Sequence, residues 1–173
     1  MLREIDFAQK VVHSGAIVII INANSDSLIT TDNISTVSNW SQAWQLVDKN
    51  VGEKRRILNL NNIEESVYEL DALETYGHAG LVDDGSIWFN VELITSAQRN
   101  DIKVLLEKIR HLVVILNGDD LHKGLESLQK RWDEIHFQDF IVGPFFSFLP
   151  KSSINYYKPK GLTVIIEMPN RLK

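Results

Sequence analysis

Ile102-Lys103-Val104-Leu105-Leu106-Glu107-Lys108-Ile109 leads, two residues on, into Leu112-Val113-Val114-Ile115-Leu116 and then Asn117-Gly118-Asp119-Asp120, and this stretch decides the fold. Ile102, Leu105, Leu106 and Ile109 fall at i, i+3, i+4 and i+7, one apolar stripe at helical period. Lys108, Arg110 and His111 close that helix, where cations suit the dipole, and His111 reads most simply as a capping cation. Leu112 to Leu116 is apolar on both faces, which suits a strand covered on both sides by helices. Asn117-Gly118 turns the chain, and Asp119 or Asp120 is placed to cap a second helix. Leu121, Leu125, Leu128, Trp132 and Ile135 give that helix its stripe. Ser96 to Ile135 thus reads as helix, strand, helix, with the strand at the centre of a core.

Working outward toward the N-terminus, Ile5 to His13 forms a short helix stopped by Ser14-Gly15. Ala16 to Ile21 is a β-branched run and reads as a buried strand. Asn22 to Thr31 is polar and reads as the loop leaving that strand. Val37, Trp40, Trp44 and Val47 predict an amphipathic helix over Ser35 to Lys49, and Arg55 to Leu60 a short strand. Asn62 with Glu65 makes a capping-box-like start to a third helix, with Ile63, Val67 and Leu70 inward and Gly77 as its stop. Asp83-Asp84-Gly85 signals a hairpin between Ala79–Val82 and the alternating arm from Ser86, where Ile87, Phe89, Val91 and Leu93 face one way and Trp88, Asn90 and Glu92 the other.

Toward the C-terminus, Phe137, Phe140, Phe145, Phe146 and Phe148 crowd a segment broken by Gly143-Pro144. Two roles suit them: core packing across a bent strand, or an exposed interface patch. Lys151 to Lys160 reads as loop, and Leu162 to Ile166 as a last strand ended by Pro169. The expected fold is α/β, with α+β as the alternative. One domain over 1–173 carries a central mixed sheet, flanking helices and one antiparallel hairpin.

Composition narrows the function classes. The chain has 173 residues, 44% of them hydrophobic, enough for a sizeable core. It has no cysteine, which excludes disulfides, thiolate metal sites and cysteine nucleophiles and fits a reducing cytosol. The charged start, Met1 to Asp6, has no apolar core of signal-peptide length, and Ala16 to Ile21 is too short to span a membrane, so a cytoplasmic location is expected. Without a secretion signal the Asn33-Ile34-Ser35 and Asn39-Trp40-Ser41 patterns carry no weight as glycosylation sites. A net charge of −5 argues against broad nucleic-acid binding.

Motif absences sort further. The chain contains no GxGxxG, GxxxxGK[ST], HExxH or GxSxG pattern. His13, His78, His111, His122 and His136 stand apart with no ligand-like spacing. The best enzyme constellation is acidic: Asp26 after the first buried strand, and Asp119 and Asp120 after the strand at 112–116. Were those strands parallel neighbours, these carboxylates with Asn22, Asn24 or Asn117 would share the crevice at the strands' C-terminal ends and offer Mg²⁺ oxygen ligands. Helix capping and turn chemistry account for the same residues, so no metal, no cofactor and no catalytic residue is expected.

Charge is the strongest anomaly. Residues 57–98 hold no Lys or Arg and eight acids: Glu64, Glu65, Glu69, Asp71, Glu74, Asp83, Asp84 and Glu92. Residues 137–173 reverse this, with five bases against two acids. A surface kept only for solubility intersperses both signs, whereas a one-sign field steers an oppositely charged partner. These acids are therefore the expected partner-binding residues of a non-catalytic protein. Its sharpest form is an immunity protein or antitoxin covering the basic cleft of a nuclease toxin. The alternatives are a metal-dependent phosphoryl-transfer or hydrolytic enzyme using Asp26, Asp119 and Asp120, and a small-ligand sensor or regulatory subunit binding at the same sheet edge.

Overall fold

The computed structural model describes residues 2–24, 29–31, 33–59, 64–77, 79–90, 104–124, 126–127, 139–142, 146–148, 155–157 and 159–169. α1 (Leu2–His13) stops where Gly15 takes φ +100, and leads into β1 (Ile17–Ile21). β2 (Ile29–Thr31) and β3 (Ile34–Val37) form a tight antiparallel pair turning at Asn33, whose φ is +65. α2 (Trp40–Asn50) follows. β4 (Arg55–Ile57), a 3-10 turn (Glu65–Glu69) and β5 (Ala72–Tyr76) come next, then the hairpin β6 (Ala79–Leu81) and β7 (Ile87–Asn90). Residues 104–108 are helical (α3), and lead to β8 (Leu112–Asn117), a second 3-10 turn (Gly118–Asp120) and β9 (Leu121–His122). β10 (Asp139–Val142), β11 (Phe146–Phe148), β12 (Asn155–Tyr157) and β13 (Leu162–Glu167) complete the order.

Two sheets result. The larger runs β2-β3-β1-β13-β8-β5-β4, parallel throughout except for β2 at one edge. The smaller runs β12-β11-β10-β7-β6-β9, antiparallel except where β6 meets β9. The last strand in sequence, β13, lies at the middle of the larger sheet between β1 and β8. Both faces of that sheet are covered. Val18, Ile20, Leu112, Val114, Leu116, Val164 and Ile166 pack beneath Phe7 and Val11 of α1, Leu105, Leu106 and Ile109, and Ile87 and Leu121 of the smaller sheet. Ile19, Ile21, Val113, Ile115 and Ile165 face the other way, onto Ala43 and Val47 of α2. Continuous apolar strands are the sequence mark of this double burial.

Several expected elements are replaced. Ser35 to Val37 belongs to β3, hydrogen-bonded to β1, and the helix begins only at Trp40. Asn39 caps it, its side chain accepting from Gln42 N at 2.9 Å, while Gln42 Oε1 accepts from Ser38 N at 2.7 Å. That reciprocal cap fixes the start three residues beyond the strand. The third helix is absent: Glu65–Glu69 makes one 3-10 turn, Leu70 is extended, and Ala72–Tyr76 is drawn between β4 and β8 as β5. Tertiary pairing overrides local helical spacing there, and Thr75 and Tyr76 suit a strand. The helix from Leu121 is likewise displaced at its start, since Leu121–His122 pairs in parallel with β6. Its other stripe residues, Leu125, Leu128, Trp132 and Ile135, lie outside the described residues.

The hairpin forms as the Asp-Asp-Gly signal requires. Gly85 has φ +76 and donates to Leu81 O at 2.8 Å. The Asp84 carboxylate accepts from Ser86 N at 2.8 Å and Oγ at 2.6 Å, and Ser86 Oγ accepts from Trp88 Nε1 at 2.8 Å. Ile87 and Trp88 are both buried, so the clean alternation expected of this arm gives way to burial on both faces. Phe140, Phe146 and Phe148 sit on the paired strands β10 and β11, and Tyr156-Tyr157, expected in a loop, are in β12.

Candidate functional site

Parallel strands deliver their C-terminal ends to one edge, and in open α/β sheets that edge is where ligands bind. Here β1, β13 and β8 finish in one row, with Ile21 opposite Glu167 and Glu167 opposite Asn117. Met168 N donates to Ile21 O at 2.9 Å and Asn22 N to Val37 O at 2.8 Å, carrying the pairing one step past the strands. Short polar turns then leave the sheet. Asn22 Oδ1 accepts from Asn24 N at 3.0 Å, and Asn117 Oδ1 from Asp119 N at 2.9 Å. These Asx turns explain both asparagines: each short amide caps the bend it makes. Gly118 packs closely on Met168: a Cβ there would lie 2.7 Å from Met168 Sδ, and the methionine side chain would have to shift.

Glu167 stands exposed at the centre of this row. Its Oε2 accepts the indole N–H of Trp40, the first residue of α2. Trp40 stacks on Trp44, with ring centroids 5.8 Å apart and planes at 27°. The Arg55 guanidinium lies 4.7 Å from the Trp44 ring centroid. Arg55 also pairs with Asp48, with Glu74 at 3.0 Å, and with Gly52 O at 3.0 Å. Burial works against its charge, but those two carboxylates outweigh the burial and raise its pKa. Asn22, Asn24, Ser38, Asn39, Tyr76, Asn117, Asp119, Asp120 and Glu167 populate this end of the sheet, and the Arg3 guanidinium reaches it beside Asp120, donating to Leu121 O at 3.2 Å. Its three carboxylates and its asparagines make the edge rich in acceptors, which suits a ligand bearing N–H or O–H donors.

The residues expected to carry function are distributed differently from the expectation. Asp119 and Asp120 do reach this edge, in a 3-10 turn and not as caps of a helix, and β13 separates their strand from β1. Asp26 lies outside the described residues. Among the described residues no three His, Asp or Glu side chains come together in a way that would hold a metal ion. Of the acidic segment, Glu64, Glu65 and Glu69 are exposed on the 3-10 turn before β5. Asp71 accepts from Lys54 N at 3.1 Å and lies 3.8 Å from Arg110, and Glu74 is held by Arg55. Asp83 and Asp84 occupy the exposed hairpin turn, with Asp84 engaged by Ser86. Glu92 lies outside the described residues.

His111 is not a capping cation. It is half-buried with a ring nitrogen 2.6 Å from Thr163 Oγ1, and burial lowers its pKa to about 4, so it is neutral at pH 7.

No family model matches this chain, and no curated protein matches it significantly. Among solved structures it is similar to a DUF162 family protein from Deinococcus radiodurans, with a TM-score of 0.57 over 95% of this chain and 96% of that one. At 11% identity the likeness shows a shared α/β fold. No helix among the described residues is long and apolar enough to cross a membrane.

Proposed function

We propose that this protein binds a small polar ligand, rich in hydroxyl or amino donors, at the carboxyl edge of its parallel sheet. One observation carries the reading: β1, β13 and β8 set Glu167 in a row between Ile21 and Asn117, and Trp40 holds its carboxylate in place. A carboxylate fixed by an indole N–H keeps its remaining lone pairs for a ligand donor, and the neighbouring amides add acceptors and donors of their own. The carboxylates of Asp119, Asp120 and Glu167 set negative charge on this edge, which disfavours phosphate. The test is thermal-shift screening against polyols, amines and sugars with inorganic phosphate as the contrasting arm. Stabilisation by a donor-bearing compound, lost in Glu167→Gln, supports the reading. Stabilisation by phosphate alone overturns it.

A second reading is a cytoplasmic immunity protein or antitoxin that covers a basic nuclease toxin, with no catalysis of its own. The exposure of Glu64, Glu65 and Glu69 on one turn, inside a 42-residue segment free of Lys and Arg, favours it. Charge steering of that kind makes association fall steeply with salt. Partner capture from the native host, repeated at high salt and with Glu64→Lys/Glu65→Lys, tests it; capture indifferent to both changes counts against it.

A further inference from the structure

A second concavity lies at the outer strand of the larger sheet, three strands from the β13 that carries Glu167. It opens at β4 and holds about 250 Å³, between Arg56, Ile57, Leu58 and Asn59 on one side and Glu64 and Val67 of the 3-10 turn on the other. Leu73 and Leu105 form its floor. Ile57 is 68% exposed, unusual for an isoleucine in a strand. β4 is the outermost strand of the larger sheet among the described residues and pairs there only with β5. Glu64, Glu65 and Glu69 stand exposed on the turn that makes the far wall.

We propose that this cleft receives an extended segment of another protein, with an apolar side chain seated over Val67, Leu73 and Leu105 and Lys or Arg residues flanking it. The proposal rests on the partner-binding reading and names the place and chemistry of the contact. Three features fit one occupant. The floor is apolar and would be desolvated by an aliphatic side chain. The flank of β4 that no described strand pairs offers backbone groups to an added strand. The glutamates at the mouth select for positive charge on the visiting chain: the segment from 57 to 98 holds no Lys or Arg of its own, and Lys108 meets the turn at the Tyr68 ring, 5.5 Å from its centroid. Among the described residues Arg56 is the one base in the lining; it stands on the β4 side, opposite the turn.

The experiment uses the full chain and a fluorescent synthetic peptide of alternating Val and Lys, with a Val–Glu peptide as its charge-inverted partner. Anisotropy titration is expected to show binding of the Lys peptide and none of the Glu peptide. Glu64→Lys/Glu65→Lys should weaken the Lys peptide by about tenfold or more, and Val67→Trp, which fills the cleft, by a similar factor. Ile57→Asp repeats the second test at a site too exposed to threaten folding. Glu167→Gln should leave this binding unchanged. No binding of the Lys peptide, or equal binding of both peptides, overturns the proposal. Binding lost on charge reversal but untouched by Val67→Trp and Ile57→Asp overturns the cleft while leaving the acidic-surface reading standing.

Discussion

The indole N–H of Trp40 donates to the carboxylate of Glu167 across 127 positions of sequence, joining the first turn of α2 to the end of the central strand. Glu167 is exposed, so the bond adds little to stability; its weight is in where it holds a charge. Glu167→Gln should change unfolding free energy by less than about 1 kcal/mol. The same change should alter the tryptophan emission, because the acceptor of the Trp40 N–H loses its charge. Denaturant titration and fluorescence check both; a loss of several kcal/mol would make Glu167 a structural residue.

Gly85→Val should destabilise by about 1–3 kcal/mol. Two costs combine: φ is +76, and a Cβ would meet Lys10 Cβ at 2.9 Å. Gly15→Ala separates them, since Gly15 has φ +100 but nothing within 4 Å of its Cβ position. The alanine there should cost about 1 kcal/mol from conformation alone. Equal losses at the two sites in chemical denaturation would contradict the packing part of this account.

Arg55→Ala should cost about 2–4 kcal/mol, because it strands Asp48 and Glu74 together on the covered face of the sheet and uncovers Trp44. Arg55→Lys should recover only part of this, since an ammonium lacks the planar fork that reaches two carboxylates and a carbonyl. Equilibrium unfolding of the two variants decides it. A loss below about 0.5 kcal/mol for the alanine would mean that solvent already screens these charges.

Stability should fall with acid through His111. Its folded pKa, about 4, lies below the ordinary 6.5, so between these values the unfolded chain binds the extra proton. The neutral ring's contribution is complete above pH 6.5 and is lost as pH falls toward 4, to at most about 3 kcal/mol. His111→Asn should flatten the stability profile over that window relative to the parent chain. Parallel profiles for the two proteins would contradict the buried neutral histidine.

Much of the fold is legible in the residues because burial on both faces writes itself as unbroken apolar runs. Ile17–Ile21, Leu112–Leu116 and Leu162–Ile166 are such runs, and they are three adjacent parallel strands. Gly85 after two aspartates likewise marks its own hairpin. β5 is hidden because Val67 and Leu70 fall at helical spacing from Ile63, while the pairing that makes Ala72–Tyr76 a strand comes from β4 and β8. The true start of α2 was signalled by Asn39 with Gln42 at the third helical position, which the longer spacing of Val37, Trp40, Trp44 and Val47 obscures. The polar edge was half visible: Asn22, Asn117, Asp119 and Asp120 stand next to apolar runs. Glu167 was not, for its place beside Asn117 depends on β13 entering between β1 and β8, and strand order leaves no local trace.

The central claim is that the carboxyl edge of the sheet is a ligand site, and the indole N–H of Trp40 is its direct reporter. Two-dimensional ¹H–¹⁵N spectra of the full chain, titrated with the donor-bearing compound that stabilises it most in the thermal-shift screen, make the measurement. The account predicts saturable shifts confined to the Trp40 indole and the amides of Asn22, Asn24, Asn117, Asp119 and Glu167, all abolished in Glu167→Gln. Shifts confined to residues 56–59 and 64–67, or none at the Trp40 indole, would contradict it.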